Sequence, residues 1–508
     1  MTEFILVPGM FTGAHVWQDT AGRLTAKGAG AHPVTLTGLD APCGTVSPGI
    51  DLETHIADVL TVIDAVRAAS GGDIVLVGHD YGIHPLLGAA DRRAEHIARI
   101  VHLDAGMPQD GLPALAAVPD PSLRALVAEL AATGGAQGAG ELPPPAPGEW
   151  QRWGSTAGVP DAALHRLTAL AAPQPLATLL QPLRLTGAAA ALPATGVLCT
   201  GNGASLDMLQ MRLDFGDRAL QALADARVTL FELPTGHWPM LSCPAELAEV
   251  LLRAAAGEGH RLTPARDGQL PPHLRPFLLD VPELPRERTE NVDLYLPDAR
   301  EPAPAVVFVH GGPLPADARP TPRDWPTLTG YARYAAGQGM AGATLDHRLH
   351  DVADYPRAAA DVAAAVERVR ADPRVDADRI ALWFFSGGGP LTAHWLGAPP
   401  SWLRCLVATY PILAPLPNWG MAGSRFHPAA AVARAGTLPI VLTRIGRELP
   451  EIAATVEEFL AAAKDSGAHV EVVDVPHGRH GFESLDPTEE SRQAVHHAMR
   501  SVRAHLTA

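Results

Sequence analysis

Short apolar runs that end in glycine or proline alternate with stretches of helical periodicity through the first half of the chain. The runs begin with FILVPG (Phe4–Gly9) and continue with HPVTLTG, DIVLVG, RIVHLDAG, TGVLCT and VTLFELP. Runs of this kind are typical of parallel strands buried on both faces. DLETHIADVLTVIDAV (Asp51–Val66) has apolar residues at helical spacing behind an aspartate suited to an N-cap. Alternating strands and helices predict a mostly parallel sheet flanked by helices.

The same order of elements recurs in the second half. VDLYLP, PAVVFVHGG, GATLDHR, RIALWFF, PIVLTRIG and HVEVVDVP are predicted strands, and YPRAAADVAAAVERVRA is a predicted amphipathic helix. We therefore predict two α/β domains in tandem, at residues 1–257 and 288–508, joined by a Pro- and Arg-rich linker at 258–287. Residues 107–192 have helical periodicity and are predicted to form a helical cap inserted in the first domain.

Composition narrows the class of protein. A chain of 508 residues is long for one hydrophobic core, which agrees with two domains. A formal charge of −16 argues against nucleic-acid partners, because phosphate backbones require clustered Lys and Arg. No apolar run reaches the ~18 residues of a membrane span, and the N-terminus lacks the basic region of a signal peptide. We expect a cytoplasmic protein without membrane partners. Abundant Ala, Pro and Gly with little Lys indicate a bacterial coding sequence.

No cofactor or metal is expected from the sequence. The four cysteines are widely spaced and form no CxxC pair, so a disulfide framework or a structural zinc site has little support. There is no HExxH, no Walker loop and no GxGxxG after a strand.

The first candidate site is the motif GHDYG, which follows a buried strand and precedes a helix. This is the context of a nucleophile elbow, where glycines flank the nucleophile because the turn is too tight for side chains. With VPGMFTGAHVW, VTLTGLD, VLVGHDYG, VHLDAGMPQDG, QPLATLLQPLRL, VLCTG and LPTGHWPML, the first half (about Met1 to Ala256) resembles the α/β-hydrolases, and in detail the bacterial esterase-type members. Those esterases have serine where this chain has Asp80. An aspartate there resembles haloalkane dehalogenases and epoxide hydrolases.

This resemblance implies a set of roles. Asp80 is the expected nucleophile, since a carboxylate that attacks a carbonyl gains nothing, whereas attack on a saturated carbon gives an ester that water can cleave. His237 in GHWPM is the expected base. The expected oxyanion donors are the backbone N–H groups of Met10 or Phe11 and of Tyr81.

The acid partner of His237 is left between two residues. The position after the later strand reads TGNGAS, with Asn202 in place of a carboxylate, and Asp207 lies a few residues further on. Asp104 in VHLDAG ends an earlier strand, where some dehalogenases carry their acid. We favour Asp104, with a purely loop-capping role as its alternative.

Tryptophans of the predicted cap and of the histidine motif are the candidate substrate-binding residues. Trp150 and Trp153 could donate their indole N–H groups to a departing epoxide oxygen, or could only pack, and Trp238 follows His237. A dehalogenase would have tryptophan directly after the nucleophile, but Tyr81 stands there. We therefore favour an epoxide over a halide, on a small, mostly apolar metabolite such as one of secondary metabolism.

The second candidate site contains a serine. FVHGGP, WFFSGGGP and VPHGRHGF make the region from about Val292 to Ala508 similar to esterase, lipase and dienelactone-hydrolase-like families. The resemblance implies Ser386 as nucleophile, His480 as base and Glu448 as acid, in the order that this fold uses. It implies an oxyanion hole made of the backbone N–H groups of three glycines, Gly311, Gly312 and Gly387.

For three residues near the second candidate site, the expectations concern local structure. Phe384 lies two positions before the serine, where small residues are usual, so a distorted elbow is expected. His477 is expected to shape the loop of the catalytic histidine, and His347 to hold a loop together.

The sequence thus predicts a two-site hydrolase, with alkyl-enzyme chemistry at Asp80 and acyl-enzyme chemistry at Ser386. Two alternatives remain open. In one, only the serine site works and the first domain is a dimerisation module, which is compatible with a homodimer. In the other, the first domain is a ligand-binding module in which Asp80 and His237 line the pocket.

Overall fold

The structure is a computed structural model that describes residues 1–40, 49–118, 120–133, 140–215, 217–263, 270–416, 419, 421 and 423–507. It divides into two units, Met1–Gln210 with Ala219–Pro264, and Met211–Arg218 with Ala265–Ala508. This division differs from the predicted one at residues 211–218, which group with the second unit rather than with the first. Residues 119 and 134–139 of the predicted cap and 264–269 of the predicted linker lie outside the described residues.

The first unit alternates strands and helices as the sequence pattern predicts. Its strands are β1 (Thr2–Val7), β2 (Gly30–Pro33), β3 (Asp73–His79), β4 (Ile97–Leu103), β5 (Glu141–Leu142), β6 (Gln174–Pro175), β7 (Ala194–Cys199) and β8 (Val228–Leu233). The helices of this part of the chain are α1 (Gln18–Ala26), α2 (Leu52–Ser70), α3 (Ile83–Arg92), α4 (Pro121–Thr133), α5 (Asp161–Leu170), α6 (Leu176–Leu180), α7 (Leu206–Asp214), α8 (Pro239–Ser242) and α9 (Pro244–Ala255).

Six strands of the first unit form one parallel sheet in the order β2-β1-β3-β4-β7-β8. The central strands are buried because their side chains on both faces are covered by helices, and Phe4 to Val7 have no exposed surface. The cap contains α4, α5 and α6, and also the short antiparallel pair β5–β6, which its helical periodicity does not predict. Helix α2 begins after Asp51, whose side chain accepts a hydrogen bond from the N–H of Thr54 at 2.9 Å, as expected for an N-cap.

The second unit repeats this architecture with a longer sheet. Its strands are β9 (Glu287–Thr289), β10 (Val292–Tyr295), β11 (Ala303–Val309), β12 (Ala341–Leu345), β13 (Val375–Phe385), β14 (Leu403–Thr409), β15 (Ile440–Arg447) and β16 (Val470–Arg479). Its helices are α10 (Pro326–Gly337), α11 (Tyr355–Arg370), α12 (Thr392–Gly397), α13 (Pro428–Ala431), α14 (Pro450–Ser466), α15 (Phe482–Leu485) and α16 (Glu489–Thr507).

The sheet order of the second unit is β16-β15-β14-β13-β11-β12-β10-β9. The six strands from β16 to β12 are parallel, whereas β10 and β9 pair antiparallel at one edge. Strand β14, between the nucleophile strand and β15, is absent from the predicted elements, although its run of buried residues resembles the others. In the described part of the chain, no helix is long and apolar enough to cross a membrane.

Glycine at the first elbow allows α3 to approach the loop after β1. A Cβ added at Gly82 would lie 2.4 Å from the carbonyl oxygen of Pro8. We expect Gly82→Ala to lower the free energy of unfolding by about 1–3 kcal/mol, because the backbone must move apart to admit the methyl group. Gly22 on α1 is the matched control, since a Cβ there meets nothing within 4 Å. Gly22→Ala should raise stability by about 0.5–1 kcal/mol. Urea unfolding measures both, and equal stabilities for the two variants would contradict the packing argument.

Candidate active sites

Asp80 occupies the corner between β3 and α3 of the first unit. Its φ is 49°, a left-handed conformation that non-glycine residues rarely adopt. A Cβ at Gly78 would lie 2.8 Å from the Cα of Ile83, so the chain can turn this sharply only with glycine there. The turn projects the Asp80 side chain away from the sheet, and 28% of that side chain is exposed. The corner therefore has the geometry of a nucleophile elbow.

His237 and Asp104 form an ion pair beside Asp80. The Nδ1 of His237 lies 2.6 Å from Oδ2 of Asp104, which makes Nδ1 the donor and directs Nε2 toward Asp80. The Nε2 of His237 lies 3.9 Å from Oδ1 of Asp80. Burial alone would lower the pKa of His237, but the hydrogen bond and charge of Asp104 and the charge of Asp80 outweigh it, so the pKa is raised. Asp207, the alternative acid, is exposed at the start of α7.

Asn202 is connected to this pair, although it has no charge. Its Nδ2 donates to Oδ2 of Asp104 at 2.8 Å, and its Oδ1 accepts the N–H of Ser155 in the cap at 2.8 Å. The other carboxylate oxygen of Asp104 accepts the N–H of Cys199 at 3.1 Å. The sequence analysis treated Asn202 only as a missing carboxylate. Its position after a strand, opposite Asp104, was the signal for this supporting role.

His79 is a second residue that the sequence analysis missed. Its Nε2–H donates to the carbonyl of His237 at 2.7 Å, and the two rings are 4.6 Å apart. Burial and the charge of His237 lower the pKa of His79 to about 4, so its ring is neutral at physiological pH. His79 therefore fixes the backbone of the catalytic loop and is unsuited to proton transfer. Its place directly before Asp80 was the available signal.

The structure separates the predicted oxyanion donors of this site. The N–H of Met10 donates to Oδ2 of Asp80 at 3.2 Å, so it points into the site. The N–H of Phe11 instead donates to Oε1 of Gln174 at 3.2 Å, and Phe11 is therefore not an oxyanion donor. Tyr81 follows the elbow directly, and its buried hydroxyl lies 2.8 Å from Nδ1 of His55.

Four aromatic rings, those of Phe11, Trp150, Trp153 and Trp238, pack together beside His237. Trp238 is 4.9 Å from the ring of His237, and Trp153 is 5.0 Å from the ring of Phe11. Trp150 is buried, and its Nε1–H donates to Oγ1 of Thr168 at 2.9 Å. Of the two roles left open for Trp150, this geometry favours packing, because its indole N–H is used within the cap. Trp153 is half-buried and remains a candidate.

Ser386 occupies the corresponding corner of the second unit, between β13 and α12. Its φ is 51°. A Cβ at Gly387 would lie 1.7 Å from the carbonyl oxygen of Gly312, and one at Gly311 would lie 2.9 Å from the Cβ of Ser386. Gly311 thus lies against Ser386, and Gly312 lies against Gly387, the residue that follows the serine. The expected distortion by Phe384 does not occur, because that side chain is fully buried in the core.

His480 and Glu448 complete a hydrogen-bonded chain with Ser386. The Oγ of Ser386 lies 2.7 Å from Nε2 of His480. The Nδ1 of His480 lies 2.9 Å from Oε2 of Glu448, whose Oε1 accepts the N–H of Leu449 at 2.8 Å. The side chains of His480 and Glu448 are 7% and 5% exposed, so solvent screens their pairing little. The arrangement can move the serine proton to the imidazole while the carboxylate holds the ring.

The glycine loop of this site is held by hydrogen bonds to its carbonyls. Nδ1 of His310 donates to the carbonyl of Gly311 at 2.6 Å, and the hydroxyl of Tyr355 donates to the carbonyl of Gly387 at 2.7 Å. In a trans peptide the N–H points opposite to the C=O, so the bond to Gly311 also fixes the direction of the Gly312 N–H. A preorganised N–H is what an oxyanion hole requires.

The two remaining predicted histidines have different places. His347 supports the glycine loop, because its Nε2–H donates to the carbonyl of His310 at 2.9 Å and the two rings stack at 3.6 Å. His477 is 74% exposed and lies 3.3 Å from Glu490, so it takes no part in the hydrogen-bonded chain of Ser386.

With the fold and both elbows in place, comparison with known proteins gives the family. The profile described as "Alpha/beta hydrolase family" matches residues 4–250, and the profile "BD-FAE" matches residues 292–397. A carbendazim hydrolyzing esterase of Nocardioides sp. (strain SG-4G) is 33% identical over 259 residues, which is 49% of this chain and 98% of that protein. The chain belongs to the alpha/beta hydrolase family. It is a hydrolase, and its relatives include esterases.

Solved structures are similar to this chain at lower identity. An extracellular alpha/beta-hydrolase from a Paenibacillus species is 20% identical and covers 50% of this chain and 98% of its own, with a TM-score of 0.39. A methylesterase from Arabidopsis is also 20% identical and covers 50% of this chain and 99% of its own, with a TM-score of 0.37.

The pair of His237 and Asp104 gives a prediction on proton affinity. Asp104→Asn should lower the pKa of His237 relative to the wild type, because burial is then opposed only by the charge of Asp80. NMR titration of the His237 imidazole measures this shift. Asp207→Asn is the matched control and should leave the titration unchanged, since Asp207 is exposed. Equal titration curves for both variants would contradict the pairing.

Proposed function

We propose that this protein is a two-site hydrolase. The second unit hydrolyses a carboxylic ester or lactone through an acyl-serine at Ser386. The first unit opens an epoxide, or a carbon–halogen bond, through an alkyl ester on Asp80. The proposal for the second unit rests on the hydrogen-bonded chain from Ser386 through His480 to Glu448.

The serine site has each part that acyl transfer requires. Oγ of Ser386 attacks the acyl carbon while His480 accepts its proton, and the alkoxide of the substrate leaves with that proton. Glu448 stabilises the imidazolium that forms, and backbone N–H groups of the glycine loop stabilise the oxyanion. A water molecule then cleaves the acyl-serine by the reverse sequence of proton transfers. One relative of this chain is described as an esterase, which supports ester hydrolysis as a reaction of this protein.

An aspartate nucleophile at position 80 favours a first reaction step that differs from the acyl transfer proposed for Ser386. Attack on a carbonyl by a carboxylate yields an anhydride as reactive as the substrate, whereas attack on a saturated carbon yields an ordinary ester. Oδ2 of Asp80 accepts the N–H of Met10, so Oδ1 is the oxygen free to attack. In the ester, Oδ2 becomes the carbonyl oxygen, already placed against an oxyanion donor. His237 activates water, which attacks Cγ of Asp80 and releases the alcohol.

The surroundings of Asp80 favour an epoxide of a mostly apolar molecule. Phe11, Trp153 and Trp238 supply an apolar wall. The oxygen of an opened epoxide needs a hydrogen-bond donor while it takes a proton from water. The indole N–H of Trp153 is our candidate donor, because the hydroxyl of Tyr81 contacts His55 and Trp150 donates to Thr168. A halide would instead need two N–H donors around the leaving ion.

Isotope incorporation tests the role of Asp80. In a single turnover in ¹⁸O-labelled water with styrene oxide or 1-bromobutane as probe, one ¹⁸O should enter the Asp80 carboxylate, because water attacks Cγ of the ester. His237→Gln should accumulate the alkylated peptide, since alkylation needs no base but hydrolysis does. Asp73→Asn, an exposed change at the other end of β3, is the control and should turn over normally. Turnover that leaves Asp80 unlabelled would exclude the covalent route, and a site that binds both probes without turnover would be a binding module.

A fluorophosphonate tests the serine site. The probe should label Ser386, and Ser386→Ala should abolish both labelling and hydrolysis of p-nitrophenyl butyrate. Glu448→Gln should lower kcat by about 10²–10⁴-fold with little change in KM, because the imidazolium loses its counter-charge. Ser466→Ala on α14 is a control, since that hydroxyl donates to the backbone carbonyls of Ala462 and Ala463 within its own helix. Labelling at another residue, or ester hydrolysis that survives in Ser386→Ala, would reject this assignment.

A further inference from the structure

A second carboxyl group lies buried beside the catalytic histidine of the serine site. Glu483 follows His480 by three residues and is 1% exposed. Its Oε1 accepts the hydroxyl of Tyr331 at 2.8 Å, and its Oε2 has no hydrogen-bond partner among the described residues. A buried carboxyl with one unpaired oxygen costs stability, and such groups persist mainly where function requires them. The mechanism proposed above does not use it.

Tyr410 connects this carboxyl to the imidazole. Its ring centre lies 4.8 Å from that of His480, and its edge packs on Phe482 at 5.8 Å. Glu483 interacts electrostatically both with the Tyr410 hydroxyl and with His480. Tyr410 has a φ of 36°, a strained conformation for a non-glycine residue at the end of β14. Strain of this kind concentrates at functional sites, because the surrounding structure must hold it.

We propose that Glu483 is a positioning residue of the serine site, which acts on His480 through Tyr410. This inference rests on the proposed acyl-serine function of Ser386. Glu448 holds the imidazole from its Nδ1 side by direct ion pairing, and Glu483 acts on the ring from the side of Tyr410.

Glu483 also makes the site sensitive to pH near neutrality. Burial raises the pKa of Glu483 to about 7, against the opposing contacts of Tyr331, Tyr410 and His480. The carboxyl is therefore neutral below pH 7 and charged above it. The added charge stabilises the imidazolium that forms when His480 accepts the serine proton, so acylation speeds up as pH rises through this pKa.

The other charged groups around Glu483 have partners of their own. Arg275, which precedes α10, donates to the carbonyl of Ser484, and Arg479 of β16 pairs with Asp486. On α16, Glu490 contacts His477 and Arg492 contacts Glu489. Apart from Glu448, which faces His480 and Tyr410, the titratable groups that act on Glu483 are those of Tyr331, Tyr410 and His480.

The test compares Glu483→Gln, which keeps the shape and the acceptor for Tyr331, with the wild type. Beyond the pH dependence that a histidine base itself produces, the pH profile of kcat for p-nitrophenyl butyrate should show an additional ionisation near pH 7 in the wild type that is absent in the variant. At pH 8 the variant should be about three- to tenfold slower, with KM unchanged and labelling of Ser386 retained. Tyr410→Phe keeps the ring but removes a hydroxyl that lowers the pKa of Glu483, so the same ionisation should move to higher pH. Glu490→Gln, a change at a half-buried carboxylate that contacts His477, is the control and should match the wild type.

An NMR titration of the His480 imidazole separates this inference from the proposed function. If the serine site shows neither labelling nor ester turnover, the proposed function fails, yet the imidazole of wild-type protein should still report the ionisation of Glu483. A His480 titration or a kcat profile that is identical in the wild type and Glu483→Gln would overturn the inference, because a carboxyl that only fills space would leave both unchanged.

Discussion

Both sites depend on one constraint, which is a side chain held in the left-handed conformation where a buried parallel strand turns into a helix. Asp80 and Ser386 have φ values of 49° and 51°. Such a conformation costs of the order of 1–3 kcal/mol and persists only where neighbouring structure over-determines it. Here the neighbours are backbone atoms. Gly82 and Gly387 lie so close to the carbonyls of the preceding loops that a methyl group does not fit. The same contact brings the preceding loop, with its candidate oxyanion donors, against the residue at the corner. Close packing of the glycine therefore both holds the strained backbone and sets the geometry of the candidate site.

From this common corner the two units place their acids on different strands. In the first unit Asp104 follows β4, the neighbour of the nucleophile strand, and Asn202 follows β7. In the second unit Glu448 follows strand β15, while Tyr410 stands at the position of Asp104, after β14. Asp104 and Tyr410 share a positive φ, of 43° and 36°. The backbone at this position is thus the same in both units, and it presents an acid in one and an aromatic ring in the other.

Features that depend on residues close together in the sequence are predicted from it. Features that depend on contacts between residues far apart in the sequence are not. Glycines around Asp80 and Ser386 identify both elbows because a tight turn is a local property. That the N–H of Phe11 bonds to Gln174, 163 positions later, follows only from the fold. Phe384 leaves the elbow undistorted because it lies within β13, which ends at Phe385, whereas Ser386 stands beyond the strand end. Strand β14 was missed because a short apolar run alone does not distinguish a strand from a helix segment.

The distances from Asp80 and Ser386 to their histidines agree with the chemistry proposed for each residue. A hydroxyl attacks only as its proton leaves, so Ser386 must lie within hydrogen-bond reach of its base, and the measured separation is 2.7 Å. A carboxylate attacks without losing a proton, and its histidine acts only later, on water that approaches the ester. Direct contact between the two is then unnecessary, and space for water between them is useful. The 3.9 Å between Asp80 and His237 suits this division of labour, whereas a serine there would need the imidazole closer.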